Sequence, residues 1–419
     1  EAERTAILNR GGASDAKIKE GVAEILKEVE EKGEAAVLKF TQKFDGAELA
    51  KLEVEKGELD AVDEAASKFD FLRKAAANIE KFHQAQLKNI SAEEKVETEK
   101  GVKVWREWRP IQRVGIYAPG GLATYPSSVL MQAIPAKIAG CQEIILATPA
   151  FAGAGPTKGK IPDVVIAAAK LAGVTKIIKC GGAQAIGALA FVEKVQKITG
   201  PGNPWVTEAK AQLASRVAID MPAGPSEIMI IADDSAVPKF VAADLLSQAE
   251  HAADSSSILV TMSEQLAEEV EKEIKKQLEK LDRKEIARAA VEGQGKILIA
   301  NDLAELIEFA NEYAPEHLEI CTENPEKILE DIVNVGSVFL GNYASEAAGD
   351  FATGSNHVLP TAGFAKNFAP LSVESFGKKI QIQKLDKEGL SKIRETCEKF
   401  GEVEGLDAHA KAIQKRFED

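Results

Sequence analysis

Few residues in this 419-residue chain are obvious candidates for chemistry: five histidines, with the carboxylates and amides near them in sequence. In DLLSQAEHAADSSSIL (244–259), Gln248 and His251 stand three residues apart at the end of an apolar helical pattern of Phe240, Val241, Leu245 and Leu246. At about 100° per residue, that spacing projects both side chains from one helix face. An amide oxygen and an imidazole so placed can share a metal ion; a polar helix end is the plainer alternative. Glu316-His317 in APEHLEI follows Pro315, which forces its predecessor into an extended conformation and sets two titratable groups where a helix stops. An adjacent Glu and His can serve proton abstraction and water activation as separate devices, or form an ordinary polar helix end. The polar loop GDFATGSNHVLPTAG (349–363) offers Asp350 as a metal carboxylate and His357, which can instead satisfy loop backbone groups. Glu404 and His409 lie near the C-terminus in EGLDAHAKAI, where a lone histidine on a terminal helix carries little signal. His83, among Lys81, Gln84 and Gln86, reads as part of a solvated helix face. The four cysteines (Cys141, Cys180, Cys321, Cys397) lie far apart without a CxxC pair, which points to a reducing compartment and no thiolate site. Any metal is therefore held by histidine, carboxylate or amide groups.

The elements that position these groups alternate. VGIYAPGG (114–121) reads as a short strand breaking into a Pro-Gly loop, EIILATP (143–149) and KIIKCGG (176–182) as strands, and KITGPGNP (197–204) as a strand running into a loop, separated by helices 127–140, 162–173 and AQAIGALAF. Strands alternating with helices imply βαβ units and a parallel sheet. Glycines close these strands at Gly120-Gly121, Gly181-Gly182, and Gly200 with Gly202, at the ends where open α/β sheets bind ligands. A second alternation runs through 217–233, the Gln248/His251 helix, ILVTM, helices at 264–280 and 283–292, KILIA (296–300), helix 302–312, APEHLEI and GSVFLG (336–341). Ser14 is placed to cap a helix with the stripe Ile18, Val22, Ile25, Leu26 and Val29. The second block is expected to pack with these N-terminal helices. From Val373 the chain reads as a small helical appendage, with SFGKKIQIQKL as a strand entry.

Bulk properties exclude several classes. A net charge of −14 argues against a nucleic-acid or anionic-membrane surface. No apolar run reaches the roughly 18–20 residues that span a bilayer. EAERTAILNRGG lacks the apolar core of a secretory signal, so a cytoplasmic setting is expected. GAGPTKGK (153–160) fails as a phosphate loop because Ala154 stands at its first glycine position and Ile161 replaces Ser/Thr. No G-x-G-x-x-G follows the first strand of either block.

Taken together, these pieces resemble the histidinol dehydrogenase family. The run GPGNPWVTEAKAQLASRVAIDMPAGPSEIMIIADDSAVPKFVAADLLSQAEHAADSSS (200–257) is similar to that family's signature region. RVGIYAPGGLATYPSSVLMQAIPAK, GGAQAIGALAF, APEHLE, GDFATGSNHVLPT and EGLDAHAKAI resemble it too, in its order, over nearly the whole chain. The resemblance implies oxidation of L-histidinol to L-histidine through L-histidinal, with two NAD molecules reduced and one zinc ion per subunit. It puts the zinc ligands at Gln248, His251, Asp350 and His409, and the catalytic pair at Glu316 and His317. It puts substrate contacts at Ser226 and Glu404 as well as at these ligands and the pair, with His357 in substrate-side support. NAD contacts fall at Tyr117, Gln184 and Asn203, in the glycine loops. It implies a homodimer whose C-terminal segments are exchanged, so that Glu404 and His409 serve the partner's site. The N-terminal arm looks shorter than is usual.

The fold expected is α/β: two adjoining, incomplete Rossmann-like domains with mostly parallel sheets. They would comprise an N-terminal helical arm (1–12), a domain of 13–116 plus 226–370 carrying the metal and catalytic residues, a cofactor-side domain (117–225) and a C-terminal segment (371–419). The chemistry agrees with this reading. Zinc has no redox chemistry, so a nicotinamide must accept the hydride. His317 suits removal of the hydroxyl proton near neutral pH, and Glu316 suits activation of water on the aldehyde. Glu404 can pair with the substrate ammonium. Rival readings are a relative acting on another small alcohol, such as a sulfonated diol, which Glu404 disfavours; a zinc hydrolase with Glu316 as base, which leaves the glycine loops unused; and an inactive binding protein.

Overall fold

The computed structural model describes residues 2–8, 10, 15–64, 66–91, 93–120, 124–151, 159–222 and 224–418. Strands β1 (Val96–Glu99) and β2 (Val102–Pro110) form an antiparallel pair. A parallel sheet follows from β3 (Arg113–Tyr117), β4 (Glu143–Thr148), β5 (Lys176–Lys179), β6 (Lys197–Thr199) and β7 (Ala218–Ile219), in spatial order β5-β4-β3-β6-β7. A second repeats that order with β8 (Glu227–Ala232), β9 (Ser256–Thr261), β10 (Lys296–Ile299), β11 (His317–Cys321) and β12 (Ser337–Leu340), as β10-β9-β8-β11-β12. Each sheet reverses its winding once, between β3 and β6 and between β8 and β11, and such points are where open α/β sheets take ligands. The central strands are buried along their length, as strands covered on both faces by helices must be.

The expectation that the N-terminal helices pack with the second block is corrected. Val22, Ile25, Leu26 and Val29, from the helix Ala16–Lys32, join Tyr117, Ile145, Ile178 and Leu189 on one face of the first sheet. The helices Asp70–Ser91, Pro126–Ala139 and Asp163–Ala172 cover its other face. Their apolar stripes find the first sheet's uncovered faces, while the second sheet is covered by its own helices. Of the N-terminal helices, Ala2–Leu8 is the one laid on the second block, against the helix Leu303–Tyr313. There Arg4 Nη2 meets Glu312 Oε2 at 2.6 Å.

Another local expectation changes too. His83 is fully buried rather than solvated. It falls on the inward stripe with Leu72, Ala76, Ile79 and Ile90; its Nδ1 lies 2.8 Å from the Ile79 carbonyl, and Nε2 lies 3.4 Å from Asn356 Nδ2. At the end of the loop expected after β6, Asn203 caps the helix Pro204–Leu213, accepting the Trp205 and Val206 N–H groups. The C-terminal segment opens on the strand expected in SFGKKIQIQKL. This is β13 (Gly377–Leu385), paired antiparallel along all of β2. The helices Lys387–Val403 and Asp407–Gln414 then pack on each other. Ser14, Gly121 and most of 153–160 lie outside the described residues; Asp15 caps the helix Ala16–Lys32.

Candidate functional site

The candidate catalytic groups gather at the N-terminal edge of the second sheet. The helix Pro238–Ala249 runs back against the strands, so its C-terminal end returns to that edge carrying Gln248. Gln248 is fully buried, and neither amide atom has a hydrogen-bond partner among the described residues. A buried amide left so costs about 1–3 kcal/mol, so its site is built for something further. His251 follows in the adjoining turn. Desolvation lowers its pKa, and its ring lies close enough to Asp350, His317 and His357 for their charges to bear on it.

Ala314 is not extended as expected before Pro315 but left-handed at φ 51°; it ends the helix Leu303–Tyr313, and Pro315 then turns the chain into β11. A Cβ on Gly336 would lie 2.5 Å from the Glu316 carbonyl oxygen, so glycine is what lets the two segments close. Glu316 Oε2 accepts the Glu227 backbone N–H at 2.9 Å. His317 Nδ1 lies 3.1 Å from the Glu227 carbonyl, which accepts its proton, so that in the neutral ring the lone pair sits on Nε2. That Nε2 also lacks a partner among the described residues and stands 3.6 Å from Asp350 Oδ1. Glu346 Oε1 lies 3.6 Å from His317 Nδ1. His317, Glu346 and Asp350 offer ligand atoms all within 4.8 Å of one another. His357 Nδ1 donates to the Asp350 carbonyl at 3.0 Å, and its Nε2 lies 3.4 Å from Ser128 Oγ on the first domain. Ser226 immediately precedes β8, half-buried, its carbonyl accepting the Ser256 N–H.

Burial pushes the Glu316 carboxyl up to about 8 and Glu346 up to about 7, against the opposing pull of His317. Burial alone would lower His317, but the surrounding charges of Glu346, Glu316 and Asp350 carry it well above its usual range. Burial would raise Asp350; the three neighbouring histidines hold it below the ordinary carboxylate value instead.

A second feature lies at the C-terminal edge of the first sheet, a cavity of about 620 Å³ lined by the ends of β3, β4 and β5 and the loop after β6. Tyr117, Gln184 and Asn203 all line it. The Tyr117 hydroxyl accepts the Gly182 N–H at 3.2 Å. Asp45, which the sequence reading did not single out, accepts the Gly181 N–H at 2.8 Å and faces the Gln184 amide at 3.4 Å. The cavity falls within the ~300–1,000 Å³ usual for small-molecule and cofactor sites.

Glu404 and His409 are not brought to either place within one chain; both are exposed beside the C-terminal helix pair. Sequence reasoning also passed over Glu346, although the i, i+4 spacing to Asp350 was a readable sign that both share a helix face. It passed over Glu227 and Arg10 too, for which no motif spoke.

The family model for histidinol dehydrogenase matches residues 8–417. The histidinol dehydrogenase of Methanosarcina mazei is 45% identical, over 100% of this chain and 96% of its own length. That of Campylobacter jejuni is 47% identical, over 95% and 92%. Among solved structures, the histidinol dehydrogenase from Elizabethkingia anophelis superposes with a TM-score of 0.93 at 42% identity, covering 99% of this chain and 96% of that one.

Proposed function

The chain belongs to the histidinol dehydrogenase family, whose reaction is the oxidation of histidinol in histidine biosynthesis, and we propose that it runs this reaction in two NAD-dependent steps through L-histidinal with one zinc ion per subunit. The observation that carries the metal reading is the buried Gln248 amide, without a partner among the described residues; His251, three residues on, lies in electrostatic reach of Asp350. These oxygen and nitrogen donors fit zinc, and the exposed His409 of a second copy would complete the set. The cavity at Tyr117, Gln184 and Asn203 supports NAD as the acceptor, and its presence weighs against a hydrolase.

When bound, zinc would anchor the imidazole and amine of L-histidinol, and NAD would accept hydride. The neutral form of His317 takes the proton of the substrate hydroxyl at Nε2, its tautomer set by the Glu227 carbonyl. Glu316 withdraws a proton from water attacking the aldehyde. Ser226 and His357 line the substrate, and Glu404 of the second copy pairs with its ammonium. Among the described residues, no helix is long and apolar enough to cross a membrane, and a cytoplasmic homodimer is part of this reading. Purified protein given L-histidinol and NAD should form two reduced cofactors for each histidine. A ratio of one, or no reduction, would sink the two-step assignment.

A further inference from the structure

Glu227 touches both members of the proposed proton-transfer pair, but only through its backbone. It opens β8 beside β11, where the ladder starts one residue further on, with His317 opposite Ile228. Its N–H is taken by the Glu316 carboxylate at 2.9 Å, and its C=O, facing the start of β11, also accepts the His317 Nδ1–H at 3.1 Å. The two peptides that flank this one residue thus set the rotamer of Glu316 and the tautomer of His317.

The Glu227 side chain is held from elsewhere. Arg10, at the end of the N-terminal arm, forks onto it, Nε to Oε2 at 2.5 Å and Nη2 to Oε1 at 2.8 Å. Arg10 Nη2 also donates to the Tyr313 carbonyl at 2.6 Å, with the guanidinium lying over the Tyr313 ring. The Tyr313 hydroxyl and the Ala362 N–H donate to the same carboxylate at 3.3 and 3.0 Å. The side chains are 13% and 3% exposed, so this is an enclosed pair. Without Arg10, Glu227 would keep two neutral donors and lose the one counter-charge it meets among the described residues, and a buried carboxylate so stranded must move or take up a proton.

We propose that Arg10 is a positioning residue: by clamping the Glu227 side chain it fixes the backbone on either side of Glu227, and through it the geometry of Glu316 and His317. This rests on the reading of Glu316 and His317 as the proton-transfer pair. It makes the N-terminal arm part of the catalytic apparatus rather than a packing accessory.

The test uses the full-length, zinc-loaded enzyme with L-histidinol and NAD. Arg10→Ala should lower kcat about tenfold to a hundredfold, the scale of a catalytic group misplaced by about an ångström, while KM for NAD stays within about twofold. Arg10→Lys should fall between, since an ammonium cannot reproduce the two-pronged contact. Guanidinium ion at millimolar concentration should restore part of the Arg10→Ala loss. In nitrogen-15 spectra the His317 Nδ1–H signal should be present in the wild type and lost or exchange-broadened in Arg10→Ala. If Arg10→Ala does not fold, the same comparison is made on Arg10→Lys. Full kcat in these variants, or a lowered kcat with an unchanged His317 signal, overturns the proposal; the second result would mean that the arm contributes stability alone. Glu316→Gln and His317→Asn are measured alongside. Their full activity would fail the underlying reading, and the proposal with it, whereas their inactivity beside active Arg10 variants fails the proposal alone.

Discussion

Glu316 and His317 are neighbours in sequence, yet their surroundings prepare them for different work. Glu316→Gln should reduce aldehyde oxidation by about 10²–10⁴-fold and alcohol oxidation far less, because glutamine fills the space but cannot take a proton. Separate assays of histidinal and histidinol check this, and equal losses on both would remove the division of labour. The pH dependence has a definite sign. Burial raises the Glu316 pKa to about 8, so below that pH the group is protonated and cannot act as a base. The aldehyde step should therefore rise with pH through a limb near 8, and Glu316→Gln should abolish that limb. A limb in the ordinary carboxylate range near 4 would show that the burial does not govern the working enzyme. Glu316, His317 and Asp350 were legible in the sequence because a proline and a polar loop isolate them. Glu227 was not, since its side chain looks like any carboxylate while its backbone does the contacting.

At the level of elements, the alternation of strand and helix was readable because parallel strands covered on both faces are continuous apolar runs, as in EIMIIA and EIILAT. The pairing of β2 with β13 was not. Both strands mix exposed and half-buried residues, and they meet across most of the chain length, where no local pattern speaks. Close approach of elements was readable only as glycine. Gly200 sits after β6 at the switch point, at φ +120°, and a Cβ there would lie 2.1 Å from the Tyr117 carbonyl oxygen. Gly200→Ala must strain the backbone and part the β3 and β6 ends, so a loss of about 2–4 kcal/mol in a urea melt is expected. NAD affinity should weaken with it, because Tyr117 and Asn203 flank the same junction. An unchanged melt and an unchanged NAD titration would show that the loop relaxes freely.

Across the whole molecule, the proposed metal joins segments that the α/β cores already hold, so chelation should abolish turnover while circular dichroism changes little. Turnover at the full rate without metal would remove zinc from the reading. One proposed ligand remains unaccounted for within a single chain. His409 and Glu404 are exposed beside a helix pair that also leaves Phe400, Val403 and Leu406 open at 61%, 76% and 42%. Apolar groups at such exposure on a segment tied to the body through β13 are what an exchanged dimer would cover. Exchange makes a prediction that self-contained sites do not. His317→Asn and His409→Asn, each inactive alone, are unfolded together and refolded. In a mixed dimer with exchange, one site carries both lesions, and the other combines an intact His317 with an intact His409 of the partner subunit. Random mixing makes about half the dimers mixed, so roughly a quarter of wild-type activity should return. If each chain builds its own site, every site keeps a lesion. A well-refolded mixture that stays inactive therefore rules the exchange out.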